Sequence, residues 1–449
     1  MLIDFSVENF LSFNKRETFS FSAGKGRNFN ERIYSDGKNK LLKFAALFGA
    51  NSSGKSNFVK AIAFARNYIV SEVKSASLKG YFKLNENAKE LPSLFEFKIF
   101  INNNVYIYGF SVILFKNKIT EEWLYDCSSK KKKIIFYRNI NDSEYNIGKY
   151  FKNSELNTVL KVHAEGIKNE DSLLLLKVLN QYKNIFDNYP ECTVIKDIYL
   201  WFAQKLRIIF PDEDINNYSY FMSATNMKQI VKLFDDFGFS ISNYEMVNCP
   251  LDRIASQIPK DIFDDIINNI NKTFENANNN KVESFLGIGR ELYLITKDKN
   301  GLKCETIQFY HEDPNIPFSM TEESDGTLRI LKLMEILLQN DEEIVYVVDE
   351  VDRCLHALLT YNYIYRFLLK AINTNNQLIV TTHETLLLDY KLLRKDEMWF
   401  IYKKNGESHL SSLGATKERA DIKLINTCLR DKKFIPDIKE DIYQKKSNK

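Results

Sequence analysis

The chain has little imbalance of charge, no clustered cysteine, no sustained heptad and no long apolar run, and each absence closes off a class of function. Sixty-two Lys and Arg stand against 59 Asp and Glu, a formal net charge of +3 over 449 residues. No global field marks a nucleic-acid or acidic-substrate binder, so any such binding must come from a local patch. The six cysteines, Cys127, Cys192, Cys249, Cys304, Cys354 and Cys428, include no Cys-x-x-Cys pair, and no histidine stands at metal-ligand spacing. That excludes a zinc finger or a disulfide miniprotein and predicts reduced thiols. No apolar run approaches the ~18 residues of a membrane span, and Met1-Leu-Ile-Asp4 carries an acid where a signal peptide would carry Lys or Arg. The expectation is a cytoplasmic protein with no membrane segment. Without heptads, long coiled-coil arms are not expected either.

What is present is an ordinary globular mixture, 44% hydrophobic and 27% charged, in a chain long enough for two or three domains or one large insertion-bearing one. The pattern suggests an α/β fold in three parts. Residues 1–150 open with alternating segments, Leu2–Val7 and Thr18–Ser22, and then the continuous apolar run Phe44–Phe48, which suits a strand buried on both faces. A helix to about Lys74 follows, with Phe58, Ile62, Ala65 and Ile69 on one face. A strand lobe comes next, with Phe95–Ile99, Val105–Phe110 and Ile134–Tyr137, and with Asn102-Asn-Asn104 as a turn. Residues 151–285 read as mainly helical, including Thr193–Phe210 and Pro259–Asn280. Residues 286–449 read as a second α/β block. Its strands are Glu291–Thr296, Cys304–Tyr310, Glu343–Val348, Gln377–Thr381 and Met398–Tyr402, its helices Thr327–Leu338 and Leu355–Ile372, and its tail Lys445–Lys449 frays.

Gly49-Ala50-Asn51-Ser52-Ser53-Gly54-Lys55-Ser56 matches a phosphate-binding loop and stands where such a loop must, between a buried strand and a helix. Glycines let backbone N–H groups wrap phosphate, and the helix start favours negative charge. Lys55 is placed to reach the β- and γ-phosphates and Ser56 to ligate Mg²⁺. Ile344–Val348 delivers Asp349 and Glu350 at a strand end, where one acid can serve the metal and the next can polarise an attacking water. Asp349 is assigned to Mg²⁺ and Glu350 to the base. Gln377-Leu-Ile-Val-Thr-Thr-His383 is a third buried strand, and it places His383 beside the γ-phosphate. Glu323-Ser324-Asp-Gly326-Thr327 precedes an amphipathic helix. Ser324 or Asp325 is read there as an N-cap, or the helix start with its bare glycine as a second anion site covering a nucleotide held by another copy of the chain.

This order of motifs, with Asp352 two residues beyond Glu350, resembles an ATP-binding-cassette ATPase of the SMC/RecF/OLD group. Val7-Glu-Asn-Phe-Leu-Ser-Phe13 is similar to that group's first strand, and the loop running on to Asn57 to its phosphate loop. Closer still is the AAA15-type subgroup with RloA- and AbiL-like proteins. Tyr106-Ile-Tyr-Gly-Phe110, Glu122-Trp-Leu124, Trp201-Phe202, Asp349-Glu-Val-Asp-Arg353, Leu386-Leu-Leu-Asp389 and Met398-Trp-Phe400 resemble its recurrent segments. Two stretches depart from it, Cys354-Leu-His356-Ala357 and Lys433-Phe-Ile-Pro436, and neither carries a phosphate ligand.

The resemblance implies an ABC-type (RecF/SMC-like) P-loop ATPase head with an antiparallel strand lobe and a helical insertion. It implies ATP and Mg²⁺ as cofactors, and a head-to-tail homodimer or higher homo-oligomer. In it Ser324, Gly326 and Thr327 form the signature and Asp352 joins the nucleotide-binding residues. The segment after His383 is too short for the Toprim nuclease domain of OLD proteins. The expected role is therefore control of a separately encoded effector, such as a Toprim-type nuclease, in bacterial phage defence. Two other functions stay open: a RecF/SMC-like repair ATPase that binds DNA directly, and a nucleotide-gated scaffold with little turnover. Lys130-Lys-Lys-Lys133 is read as a solvated loop, because it lacks interleaved aromatics.

Overall fold

The computed structural model describes residues 1–415 apart from 27, 72–77, 141–143, 148–149, 168–171, 183, 214–217, 278–279 and 340. Cys428, Lys433–Pro436 and the tail lie outside the described residues. The chain divides into two compact units, one made of Met1–Phe210, Asp341–Asp352 and Leu368–Lys449, the other of Pro211–Asn340 and Arg353–Phe367. The sequence placed its divisions instead at 150/151 and 285/286.

Among the described residues the first unit holds two large sheets and the two-stranded pair Tyr34–Ser35 with Lys40–Leu41. Six strands form one in the order Leu206–Ile209, Val345–Val348, Gln377–Thr382, Phe44–Phe48, Met398–Lys404, Glu407–Ser412. The first five are parallel and the last is antiparallel. Every residue of Phe44–Phe48, Val345–Val348 and Gln377–Thr382 is buried, which is why the first two are continuous apolar runs and the third, with Leu378–Val380 between polar ends, does not alternate either. The other sheet is antiparallel and seven-stranded, running from Glu144–Ile147 through Lys133–Asn139, Lys118–Asp126, Asn104–Ile113, Ser93–Ile101 and Leu2–Glu8 to Glu17–Ser20. Asn102 and Asn103 both take positive φ, 50° and 61°, the geometry of a tight hairpin turn between Ser93–Ile101 and Asn104–Ile113.

One core joins these sheets. Phe5, Phe95 and Phe97 of the antiparallel sheet share it with Ala45, Leu47, Val347 and Ile379 of the parallel one, and with Phe58, Ile62, Ala65 and Ile69 of the helix Lys55–Val70. The expected apolar face of that helix is thus the one that is buried. Gln377 fastens the sheets at a polar point, accepting from Leu2 N at 2.6 Å and donating to the carbonyls of Leu2 and Leu42 at 2.9 and 3.0 Å. Glu122 and Arg138, both with no exposed side-chain surface, pair at 2.8 Å inside the antiparallel lobe. Glu122 also accepts from Leu175 N and Leu176 N, so the buried carboxylate is satisfied by a helix start as well as by a cation.

The stretch read as mainly helical needs three corrections. Helical structure from Thr193 gives way at Leu206 to the strand Leu206–Ile209, which pairs parallel with Val345–Val348. Asn243–Asn248 and Val282–Ile288 are also strands. In each case a neighbouring strand supplies hydrogen-bond partners that local periodicity cannot reveal. The last two belong to the second unit, whose antiparallel sheet runs Asn243–Asn248, Gly301–Tyr310, Glu291–Asp298, Val282–Ile288, with Pro317–Ser319 against Gly301–Tyr310. Glu291–Thr296 and Cys304–Tyr310 therefore lie in a sheet of their own rather than in the parallel sheet of the second α/β block. The second unit also carries the helices Ala224–Asp236, Lys260–Asn276 and Asp325–Leu338.

Candidate functional site

The strand Phe44–Phe48 runs straight into the loop Gly49–Gly54, and the helix Lys55–Val70 follows. A side chain at Gly49 would collide with the Ile401 carbonyl, and one at Gly54 with the Ser408 hydroxyl. Gly54 has φ +115°, and Ser52 at the exposed tip has φ 62°. No side chain caps the helix start at Gly54. Ser53 Oγ is buried with no hydrogen-bond partner among the described residues. These are features of a cradle fitted to an anion.

Lys55 is 5% exposed, and its ammonium donates to the carbonyls of Gly49 at 2.7 Å and Ala50 at 3.1 Å. Burial lowers its pKa to about 8, while Asp352, Asp349 and Glu350 pull it back up. His383 Nδ1 lies 3.4 Å from Lys55 Nζ. Burial, and then Lys55, hold the imidazole below its ordinary pKa, which favours the neutral ring.

The acids follow one strand, Val345–Val348, which Gln377–Thr382 separates from Phe44–Phe48 in the sheet. Ser56 Oγ lies 3.3 Å from Asp349 Oδ1, and the Thr381 hydroxyl donates to the same oxygen at 2.5 Å. Thr381 Oγ1 also accepts from Glu350 N at 2.8 Å, so one hydroxyl holds both the Asp349 carboxylate and the Glu350 backbone. Glu350 takes φ 47°, a left-handed conformation uncommon for a residue with a side chain and of the kind stored at functional sites. Asp352 accepts from His383 N at 3.2 Å. The loop, Asp349, Glu350, Asp352 and His383 thus converge within one unit, because Val345–Val348, Gln377–Thr382 and Phe44–Phe48 are consecutive neighbours in the sheet. Ser56 and Asp349 offer an oxygen pair suited to Mg²⁺, and the loop with Lys55 suits a polyphosphate.

Three supports escaped the sequence reading. Thr381 was seen only as part of a strand end. Ser12 accepts from Asn57 Nδ2 at 2.8 Å and bonds Ser408 Oγ at 2.7 Å, while Ser408 reaches the Ser53 carbonyl at 2.6 Å. These two serines brace the loop from beneath. They lie far apart in the sequence, and nothing in their local pattern marks them.

Ser324, Gly326 and Thr327 lie in the other unit. Ser324 is the N-cap of Asp325–Leu338, its hydroxyl accepting from Thr327 N at 3.1 Å and lying 2.9 Å from Thr327 Oγ1. A side chain at Gly326 would press on the Cys354 carbonyl.

A family model described as "AAA domain, putative AbiEii toxin, Type IV TA system" matches residues 44–171 and 203–389, which include the phosphate loop, Ser324–Thr327, Asp349–Asp352 and His383. No curated protein matches the chain. Among solved structures, an SMC head bound to the C-winged helix domain of ScpA aligns over 93% of this chain and 98% of its own, at 14% identity and a TM-score of 0.44. An SMC head domain from Thermotoga maritima aligns over 92% and 98%, at 14% identity and a TM-score of 0.38.

Proposed function

We propose, of a chain that belongs to the AAA-domain family described as "putative AbiEii toxin, Type IV TA system", that it binds and hydrolyses ATP and that its nucleotide state controls a separately encoded effector. The convergence of Lys55, Ser56, Asp349 and His383 carries the reading, with Ser56 Oγ 3.3 Å from Asp349 Oδ1 and Lys55 Nζ 3.4 Å from His383 Nδ1. Lys55 and the loop amides would hold the β- and γ-phosphates, and Ser56 and Asp349 would hold Mg²⁺, which when bound neutralises phosphate charge. Glu350 takes the proton of the attacking water, and its backbone is pinned by Thr381 for that task. His383, neutral and held through Asp352, is placed at the γ-phosphate end. Gly49, Ala50, Asn51, Ser52, Ser53, Gly54 and Asn57 complete the cradle.

Ser324, Gly326 and Thr327 would act on the nucleotide of a second copy in a head-to-tail dimer. The toxin–antitoxin setting in the family's description supports a two-gene system, and with it the phage-defence role that the RloA/AbiL-like resemblance implies. Glu350→Gln tests the enzyme reading: it should bind ATP, accumulate as a nucleotide-bound oligomer and turn over about 10²–10⁴-fold more slowly. Unchanged turnover would remove Glu350 from the role of base. Co-purification with the products of neighbouring genes, followed by phage challenge, tests the effector role. Full protection by this chain alone would count against it.

A further inference from the structure

The second unit contains a cavity of about 250 Å³ that the ATPase reading does not use. Four cationic side chains line it, Arg290, Arg329, Lys332 and Arg353, against two acids, Asp212 and Asp325, a formal excess of two positive charges. Arg329, only 4% exposed, is its buried member, and the apolar residues Leu292 and Met320, 3% and 2% exposed, also line it. A charge set among such residues is weakly screened, so it acts on a ligand more strongly than the same set on open surface.

At the rim the pairing is loose. Arg290 meets Asp325 at 2.6 Å with side chains 51% and 60% exposed, and Arg353 meets Asp212 at 2.7 Å with side chains 43% and 78% exposed. Exposed pairs of this kind contribute little to stability, so an incoming anion can draw the guanidiniums inward with small loss. Gly289 at φ +58° has nothing within 4 Å of where a Cβ would stand, which keeps that wall open.

The geometry points to a binding site for a small phosphate-bearing anion in the second unit, held by Arg290, Arg329, Lys332 and Arg353. Guanidinium forks match phosphate oxygens, and an excess of two charges suits a group carrying at least two negative charges better than a monocarboxylate. The cavity is smaller than the roughly 300–1,000 Å³ of pockets for drug-sized ligands, which limits the buried part to a diphosphate or the end of a polyphosphate. Free inorganic diphosphate and the tail of a nucleotide share this chemistry. Its position gives it a consequence: an anion that takes Arg290 from Asp325 acts on the first residue of the helix that Ser324 caps.

The test is calorimetric titration of the full chain carrying Lys55→Ala, with orthophosphate, diphosphate and ATP as separate probes. Saturable diphosphate binding that weakens at least about tenfold when Arg290→Gln and Lys332→Gln are added, and that falls with rising salt, is the expected result. Diphosphate binding as tight as ATP assigns the site to the free anion, and tighter ATP assigns it to a nucleotide tail. Circular dichroism checks that the added substitutions leave the chain folded. If they do not, Arg290→Lys alone, which keeps the charge and loses the fork, should still weaken binding. No saturable binding by the Lys55→Ala chain, or binding unmoved by the rim substitutions, overturns the site.

Discussion

The helices that begin at Lys55 and at Asp325 both have serine and glycine at their starts, yet those starts are built in opposite ways. At Gly54 no side chain caps the helix, and a lysine, a serine hydroxyl, the Asp349 carboxylate that follows Val345–Val348 and the His383 ring that follows Gln377–Thr382 gather around the opening. At Ser324 the hydroxyl turns back onto Thr327 N and Thr327 Oγ1, so the chain satisfies its own helix start. In the proposed reading the uncapped start, with Lys55 and Asp349 buried beside it, receives a ligand. A capped start is stable as it stands, and in the proposed reading it works only when a second copy presents a nucleotide to it.

The widest gap between the two should appear in nucleotide binding. In a chain that also carries Arg290→Gln and Lys332→Gln, so that only the loop is read, Lys55→Ala should reduce ATP binding below calorimetric detection, because it removes the charge that faces the phosphates. Ser324→Ala should leave the affinity of the single chain unchanged. Wild-type affinity in the lysine variant would erase the comparison.

Mixing sharpens it. Ser324→Arg should block the shared face while sparing ATP binding by one chain, and Lys55→Ala should spoil the loop alone. Combined, the two chains rebuild one intact composite site per heterodimer, so ATPase activity should partly return. Absence of recovery at every mixing ratio would count against a shared site.

A smaller effect concerns stability. As an N-cap, Ser324 should contribute about 1 kcal/mol, so Ser324→Ala should lower the urea midpoint without changing the slope. No measurable shift would mean that the cap adds nothing to the helix start.

The last effect is a control away from both helix starts. Burial raises the pKa of the Glu397 carboxyl to about 7, with Arg32, 3.9 Å away, pulling it back down. A carboxyl whose pKa is raised on folding adds stability below its unfolded value of roughly 4.3, and that stability is lost as pH climbs through about 7. Glu397→Gln should therefore flatten the fall in thermal stability between about pH 5 and pH 8, while ATP binding stays unchanged. An unaltered pH profile would show that Glu397 is not its source.

The ease of reading the chain followed burial. Phe44–Phe48, Val345–Val348 and Gln377–Thr382 are covered on both faces, so each holds an apolar run without alternation, Leu378–Val380 in the third, and the sequence reading places all three at nearly their observed limits. Leu206–Ile209 was read as helix, because a short edge strand straight after a helical turn carries no alternation strong enough to mark its end. Lys118–Asp126 and Glu407–Ser412 went unread as strands, although the first is strongly buried. Its apolar residues are interrupted by Thr120, Glu121 and Glu122, and Glu122 is tolerated only because Arg138 and two backbone amides meet it.

By itself the sequence determined the chemistry available: a loop of glycines and hydroxyls ending in Lys55 and Ser56, two adjacent acids after an apolar strand, and a histidine after another. These are local features, since each depends on what a few neighbouring residues do to the backbone between them. Only the tertiary structure decided that they meet. The parallel order of Val345–Val348, Gln377–Thr382 and Phe44–Phe48, with Val348 opposite Val380 and Thr382 opposite Phe48, brings Thr381 onto Asp349 and His383 onto Lys55. It also placed the Ser324 helix start in a different unit from the loop. Strand order and register are set by side-chain packing across the whole sheet, between residues hundreds of positions apart, and no local pattern encodes them.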